Sequence, residues 1–90
     1  MKSIITDERK CFLCGRIGTL QTHHMLHGSR RKAADLFGLT VPLCPGCHRA
    51  LHDKGEHDAE LEALAQERFE EIYGHAEWMR VFGKNYRRRT

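Results

Sequence analysis

A chain of 90 residues, 40% hydrophobic and 30% charged, has room for one domain, and a domain of this size buries only about 60% of its unfolded surface. It has no apolar run near the roughly 20 residues a membrane span needs, and residues 1–10, MKSIITDERK, carry neither the apolar stretch nor the cleavage site of a secretion signal. A membrane protein is therefore excluded, nothing marks the chain for secretion, and a cytoplasmic, reducing compartment is expected as the default.

Residues 1–10 are polar and read as a loose arm, with a short strand over residues 3–6. CFLCGRIG, from Cys11, has the spacing of a metal knuckle in which Gly15 supplies a backbone angle that other residues resist. Residues 19–24 are a short strand, residues 28–38 (GSRRKAADLFG) a loop or short helical turn, and residues 39–43 a second strand shortened by Pro42. CPGCHRALHDKG then opens with turn residues and continues as a helix that Gly55 can end. Asp58 can cap a longer helix whose apolar positions Leu61, Leu64, Ala65, Phe69, Ile72 and Tyr73 share one face; that stripe reads as core or a dimer contact. Gly74 breaks this helix, and a short one over residues 75–82 offers Trp78, Met79 and Phe82 to the core before a basic tail over residues 84–90.

The net charge of +3 is unevenly placed: residues 1–55 carry nine Lys/Arg against four Asp/Glu, residues 56–82 two against eight, and residues 83–90 four against none. Two basic segments flank an acidic one, which suggests a polyanionic partner for the front half. Four cysteines and seven histidines in so short a cytoplasmic chain point to metal binding, which also supplies the staple that a thin core needs.

Cys11 and Cys14 form one CxxC and Cys44 and Cys47 another, 29 residues apart. Two such pairs supply four thiolates in tetrahedral array, and the gap fits a hairpin inserted between the knuckles, with the second running into a helix as in a treble clef. A closed four-cysteine zinc does folding and no chemistry. Disulfides and a redox CxxC are the weaker alternatives.

The histidines form a second group. His48 and His52 lie four apart on the expected helix, about 400° of turn, so both imidazoles share a face and can grip one ion. Adjacent His23 and His24 point to opposite sides of a strand, so one of them serves as ligand and the other stays free as a base. An ion held by three protein ligands keeps positions open for a phosphate, and a neutral imidazole beside it takes a proton from water near pH 7, a pattern suited to phosphodiester hydrolysis. His27 lines this site or binds phosphate, whereas His57 and His75 read as solvated.

The succession CxxC, HHMLHG, RRKAADLFGLTVPLCPGCH and LH resembles the HNH nucleases of the ββα-metal fold, in the branch with a treble-clef zinc. With the tail QERFEEIYGHAEWMRVFGKNY it is similar to short HNH-type proteins of bacterial phages and prophages, over residues 11–86. The resemblance implies a small α+β fold in a single domain over residues 1–90: a zinc-stapled ββα core over residues 11–55, then C-terminal helices over residues 58–83. It implies His24 as general base, His23, His48 and His52 as ligands of a catalytic divalent cation (Mg²⁺, Mn²⁺, Ni²⁺ or Zn²⁺), and Cys11, Cys14, Cys44 and Cys47 as ligands of a structural Zn²⁺. One departure stands out. The family's middle position, commonly Asn or His, falls at about Leu39, and the chain's one asparagine is Asn85, so another group must orient the base.

Arg30, Arg31 and Lys32 follow the histidine pair closely and are placed to hold backbone phosphates of DNA without reading bases. Arg87, Arg88 and Arg89 add non-specific affinity or only solubility. Without an aromatic platform in the basic half, duplex or branched DNA is favoured over single strands. The expected function is that of a metal-dependent DNA endonuclease or nickase in a bacterial host, phage or prophage encoded. Cutting both strands would need a homodimer or two successive events. The competing readings are a non-catalytic zinc module that binds DNA through the same face and a phage accessory protein that docks through the acidic helix.

Overall fold

The computed structural model describes residues 2–87. The chain is a small α+β domain: strand β1 (Gln21–His24), a 3-10 turn (Gly28–Arg30), helix α1 (Arg31–Leu36), strand β2 (Thr40–Leu43), and helices α2 (Pro45–Lys54), α3 (Asp58–Tyr73) and α4 (His75–Phe82). The two strands form an antiparallel pair in which His23 faces Val41 and His24 faces Thr40. Among the described residues no helix is long and apolar enough to cross a membrane.

The turns follow from residues that tolerate them. Gly15, in the first knuckle, has φ +78°, and Gly55, at the end of α2, has φ +70° in the left-handed cap conformation. Pro45 occupies the first turn of α2, where its missing N–H leaves no bond unmade. Helix α2 packs on both strands and α1 on β1, while α3 and α4 pack together.

One core joins these pieces. Met25, Leu26, Leu39, Val41 and Leu43 of the hairpin region are buried with Leu51 of α2, Leu61, Ala65 and Phe69 of α3, and Trp78 and Phe82 of α4. Phe37, at the end of α1, meets Phe69 edge-on at a ring separation of 5.2 Å, which fastens the hairpin connection to α3.

Four expectations change. Residues 3–6 form no strand; they are tied down instead by the Ser3 hydroxyl donating to the Thr40 carbonyl (2.6 Å) and by Ile4 N–H donating to the Gly38 carbonyl (2.9 Å). This arm passes so close that a Cβ on Gly38 would lie 2.3 Å from the Lys2 carbonyl oxygen. Asp58 is not the cap of α3: His57 holds that position at φ +64° without a side-chain cap bond, and Asp58 is the helix's first residue. The stripe on α3 is only partly covered, because the eight-residue α4 is too short to shield its end, so Ile72 and Tyr73 are exposed, as is Met79 of α4. Inside that face lies a polar residue. Buried Gln66 donates to Glu70 (2.8 Å) and Asn85 (2.7 Å) and accepts from Tyr86 N–H (2.6 Å), clipping the chain end onto α3. Of the basic tail, residues 88–90 lie outside the described part of the chain.

Candidate functional site

The cysteine knuckles meet as spaced. The four sulfurs of Cys11, Cys14, Cys44 and Cys47 all lie within 4.8 Å of one another, so the cluster could hold a metal ion. In the first knuckle Gly15 N–H donates to the Cys11 carbonyl (2.8 Å) and Cys11 N–H to the Arg16 carbonyl (2.9 Å). In the second, Cys44 precedes α2 and its sulfur accepts from Cys47 N–H at 3.4 Å. Phe12 N–H, donating to the Pro42 carbonyl at 2.8 Å, joins the knuckles across the hairpin.

The electrostatics of the bare cluster are unbalanced. Burial pushes the Cys11 thiol up, but backbone hydrogen bonds around Cys44, Cys14 and Leu13 outweigh it and bring the group down to about 6. The Cys47 N–H holds Cys44 below the ordinary thiol range. Cys47 is pushed up to about 12 by burial and by the neighbouring sulfurs. Four thiolates at this spacing repel one another unless a cation stands among them, and the chemistry of the donor set fits zinc.

The histidines converge on the other side of α2. Alternation along β1 turns His23 inward, to 2% exposure, while His24 stays half-buried on the opposite side. The rings of His48 and His52 stand 5.3 and 5.7 Å from the His23 ring, and potential ligand atoms of the three lie within 4.8 Å of one another. His48 Nδ1 donates to the Gln21 amide oxygen at 2.6 Å, which leaves its Nε2 as the lone-pair nitrogen facing His52 Nε2 across 3.0 Å. His23 Nε2 is buried without a hydrogen-bond partner among the described residues. Burial first, then the His48, His27 and His52 rings, hold His23 down to about 4, and burial with His52 lowers His48, so both are neutral at pH 7. An unpartnered buried nitrogen in a group of three imidazoles whose potential ligand atoms lie this close fits a divalent cation.

His24 points to the other side of β1 from His23 and reaches the rim of the same cleft. Its Nε2 lies 3.2 Å from Asp35 Oδ1 on α1. Thr22, His23, His24, His27, Arg31, His48 and His52 line one cleft; Gly28, Arg31 and His24 continue it into a second, where Lys32, Ser29 and Asp35 join.

The three basic residues divide. Arg31 and Lys32 are exposed on the cleft, whereas Arg30 turns away and donates from Nε to the Phe82 carbonyl at 2.9 Å, satisfying the end of α4. Two site neighbours escaped the sequence reading. Asp58, read as a helix cap, accepts from His27 Nε2 at 2.6 Å, and Asp35, read as part of a linking turn, meets His24. The spacing of Asp35 eleven residues past His24 carries no periodic signal, since the two lie on a strand and a helix with a loop and a 3-10 turn between them. His57 and His75 are exposed, as expected, and each sits beside a glutamate, His57 by Glu60 and His75 by Glu70. Comparison with family models, with curated proteins and with solved structures returns no match.

Proposed function

We propose that this protein is a metal-dependent DNA endonuclease or nickase of the HNH type, with the hairpin and α2 as its ββα-metal core and the cysteine knuckles as a treble-clef zinc. The observation that carries the reading is the split of the adjacent pair: His23 buried against His48 and His52 with an unpartnered Nε2, and His24 on the other side held by Asp35. A module that only bound DNA would need the knuckles and the basic residues but not a second cluster of imidazoles.

In this reading the chain's own groups divide the work. Asp35 accepts from His24 Nε2–H, which fixes the ring and the tautomer and leaves Nδ1 free to take a proton. Water attacks phosphorus, its proton passes to His24 Nδ1, a new P–O bond forms and the bond to the leaving oxygen breaks. Arg31 and Lys32 hold flanking phosphates in the continuing cleft as point charges that carry no sequence information. His23, His48 and His52 would hold a divalent cation, whose Lewis acidity stabilises the charge that develops on the phosphate.

The test is nicking of supercoiled plasmid by purified protein with Mg²⁺, Mn²⁺, Ni²⁺, Zn²⁺ or EDTA, beside His24→Ala. Metal-dependent nicking that disappears in the variant is the expected result. DNA binding without cleavage under every metal would replace the nuclease with a binding module, and loss of metal in His24→Ala would reverse the roles of the pair.

A further inference from the structure

The cleft holds more donors than the three histidines use. His27, from the loop after β1, and Asp58, from the start of α3, approach His23 from elements other than α2, and potential ligand atoms of His23, His27 and Asp58 again lie within 4.8 Å of one another. The His27 ring stands 5.7 Å from His23, the same separation as His52, and 6.2 Å from His52 itself. Two half-shells thus meet at His23, whose buried Nε2 has no partner: two imidazoles on α2, and an imidazole with a carboxylate from the start of α3.

The half-shells differ in chemistry. Three imidazoles are a borderline-soft set that suits Ni²⁺ or Zn²⁺, whereas a carboxylate oxygen draws harder cations such as Mn²⁺, which otherwise bind nitrogen sites weakly. A neutral His23 imidazole offers one lone pair and can serve one ion at a time, so the two sets exclude each other.

We propose that the cradle contains two overlapping ligand sets sharing His23, an all-imidazole set (His23, His48, His52) taken by Ni²⁺ or Zn²⁺ and a mixed set (His23, His27, Asp58) taken by Mn²⁺. This rests on the reading of the cradle as a metal site and adds a ligand role for His27 and Asp58. It makes α3, which lies outside the ββα core, part of the metal site, and it lets the identity of the ion decide which side of His23 is filled.

The test uses the full chain with zinc on its cysteines. Mn²⁺ binding is followed by the loss of the free-ion EPR signal, and Ni²⁺ binding by calorimetry, with the absence of thiolate charge-transfer absorption confirming that Ni²⁺ stays out of the cysteine cluster. Wild type is compared with Asp58→Asn, which keeps a hydrogen-bond acceptor for His27 but removes the anion, and with His52→Ala. Asp58→Asn should weaken Mn²⁺ by about tenfold or more and leave Ni²⁺ within about twofold; His52→Ala should do the reverse. Ni²⁺ should displace Mn²⁺ one for one. Equal weakening of both ions by each variant, unchanged Mn²⁺ affinity in Asp58→Asn, or both ions bound together would overturn the proposal while leaving a metal-binding cradle in place. Failure of wild type to bind either ion would remove the cradle reading itself.

Discussion

The cysteine cluster and the histidine cradle share helix α2, where Cys47 and His48 are adjacent, yet the proposed function gives them opposite purposes. The cysteines are four donors from two tight knuckles, hydrogen-bonded to their own backbones and joined across the hairpin, so an ion there would have no position left for a substrate. The histidines come from a strand, a loop and a helix, and they border a cleft that runs on to Arg31 and Lys32. A closed set stores folding energy, and an open one leaves room for chemistry. The contrast predicts that damage on one side moves stability and damage on the other moves turnover.

The largest effect belongs to the cysteines. Cys44→Ala, or removal of the ion by a strong chelator, should abolish cooperative unfolding, because structural zinc contributes on the order of 10 kcal/mol in small domains and the core here is thin. Thermal unfolding followed by circular dichroism checks this, and a melt equal to that of wild type would argue against a structural ion. Next comes His24→Ala, which should keep the wild-type melt and metal content while cleavage falls about 10²- to 10⁴-fold. A parallel loss of melting temperature would blur the division between the two sites.

Two smaller changes sharpen it. Gly38→Ala forces a Cβ toward the Lys2 carbonyl at a backbone angle of +73° and should cost about 2 kcal/mol in denaturant unfolding, with cleavage by the folded protein unchanged. Asp35→Asn should lower kcat about tenfold with KM and metal affinity unaltered, and Asp35→Glu should recover part of it, since the carboxylate acts only by holding the His24 ring. A rise in KM instead would place Asp35 in DNA binding.

Legibility in the sequence followed the range of the signal. The hairpin, α2 and the breaks at Gly55 and Gly74 were readable because turn residues and periodicity act over a few positions, and strand alternation foretold that His23 and His24 would part. Contacts made by the tertiary fold were not. Asp58 looked like a cap because aspartate before a helix commonly is one; the left-handed His57 took that place and released the carboxylate to His27. Nothing local in the sequence marks Gln66, whose burial depends on where the chain returns through Asn85 and Tyr86. Periodicity told which face of α3 is apolar, but not that α4 would leave Ile72 bare.

The most direct test of two sites with separate work is to count ions and cuts on the same samples. Native mass spectrometry of the zinc-loaded protein with Ni²⁺, plasmid nicking and a thermal melt are run on wild type and on His48→Ala/His52→Ala. The account predicts two ions and nicking for wild type, and one ion, an unchanged melt and no nicking for the variant. A variant that still holds the second ion and cuts, or that loses both ions and unfolds, would contradict it.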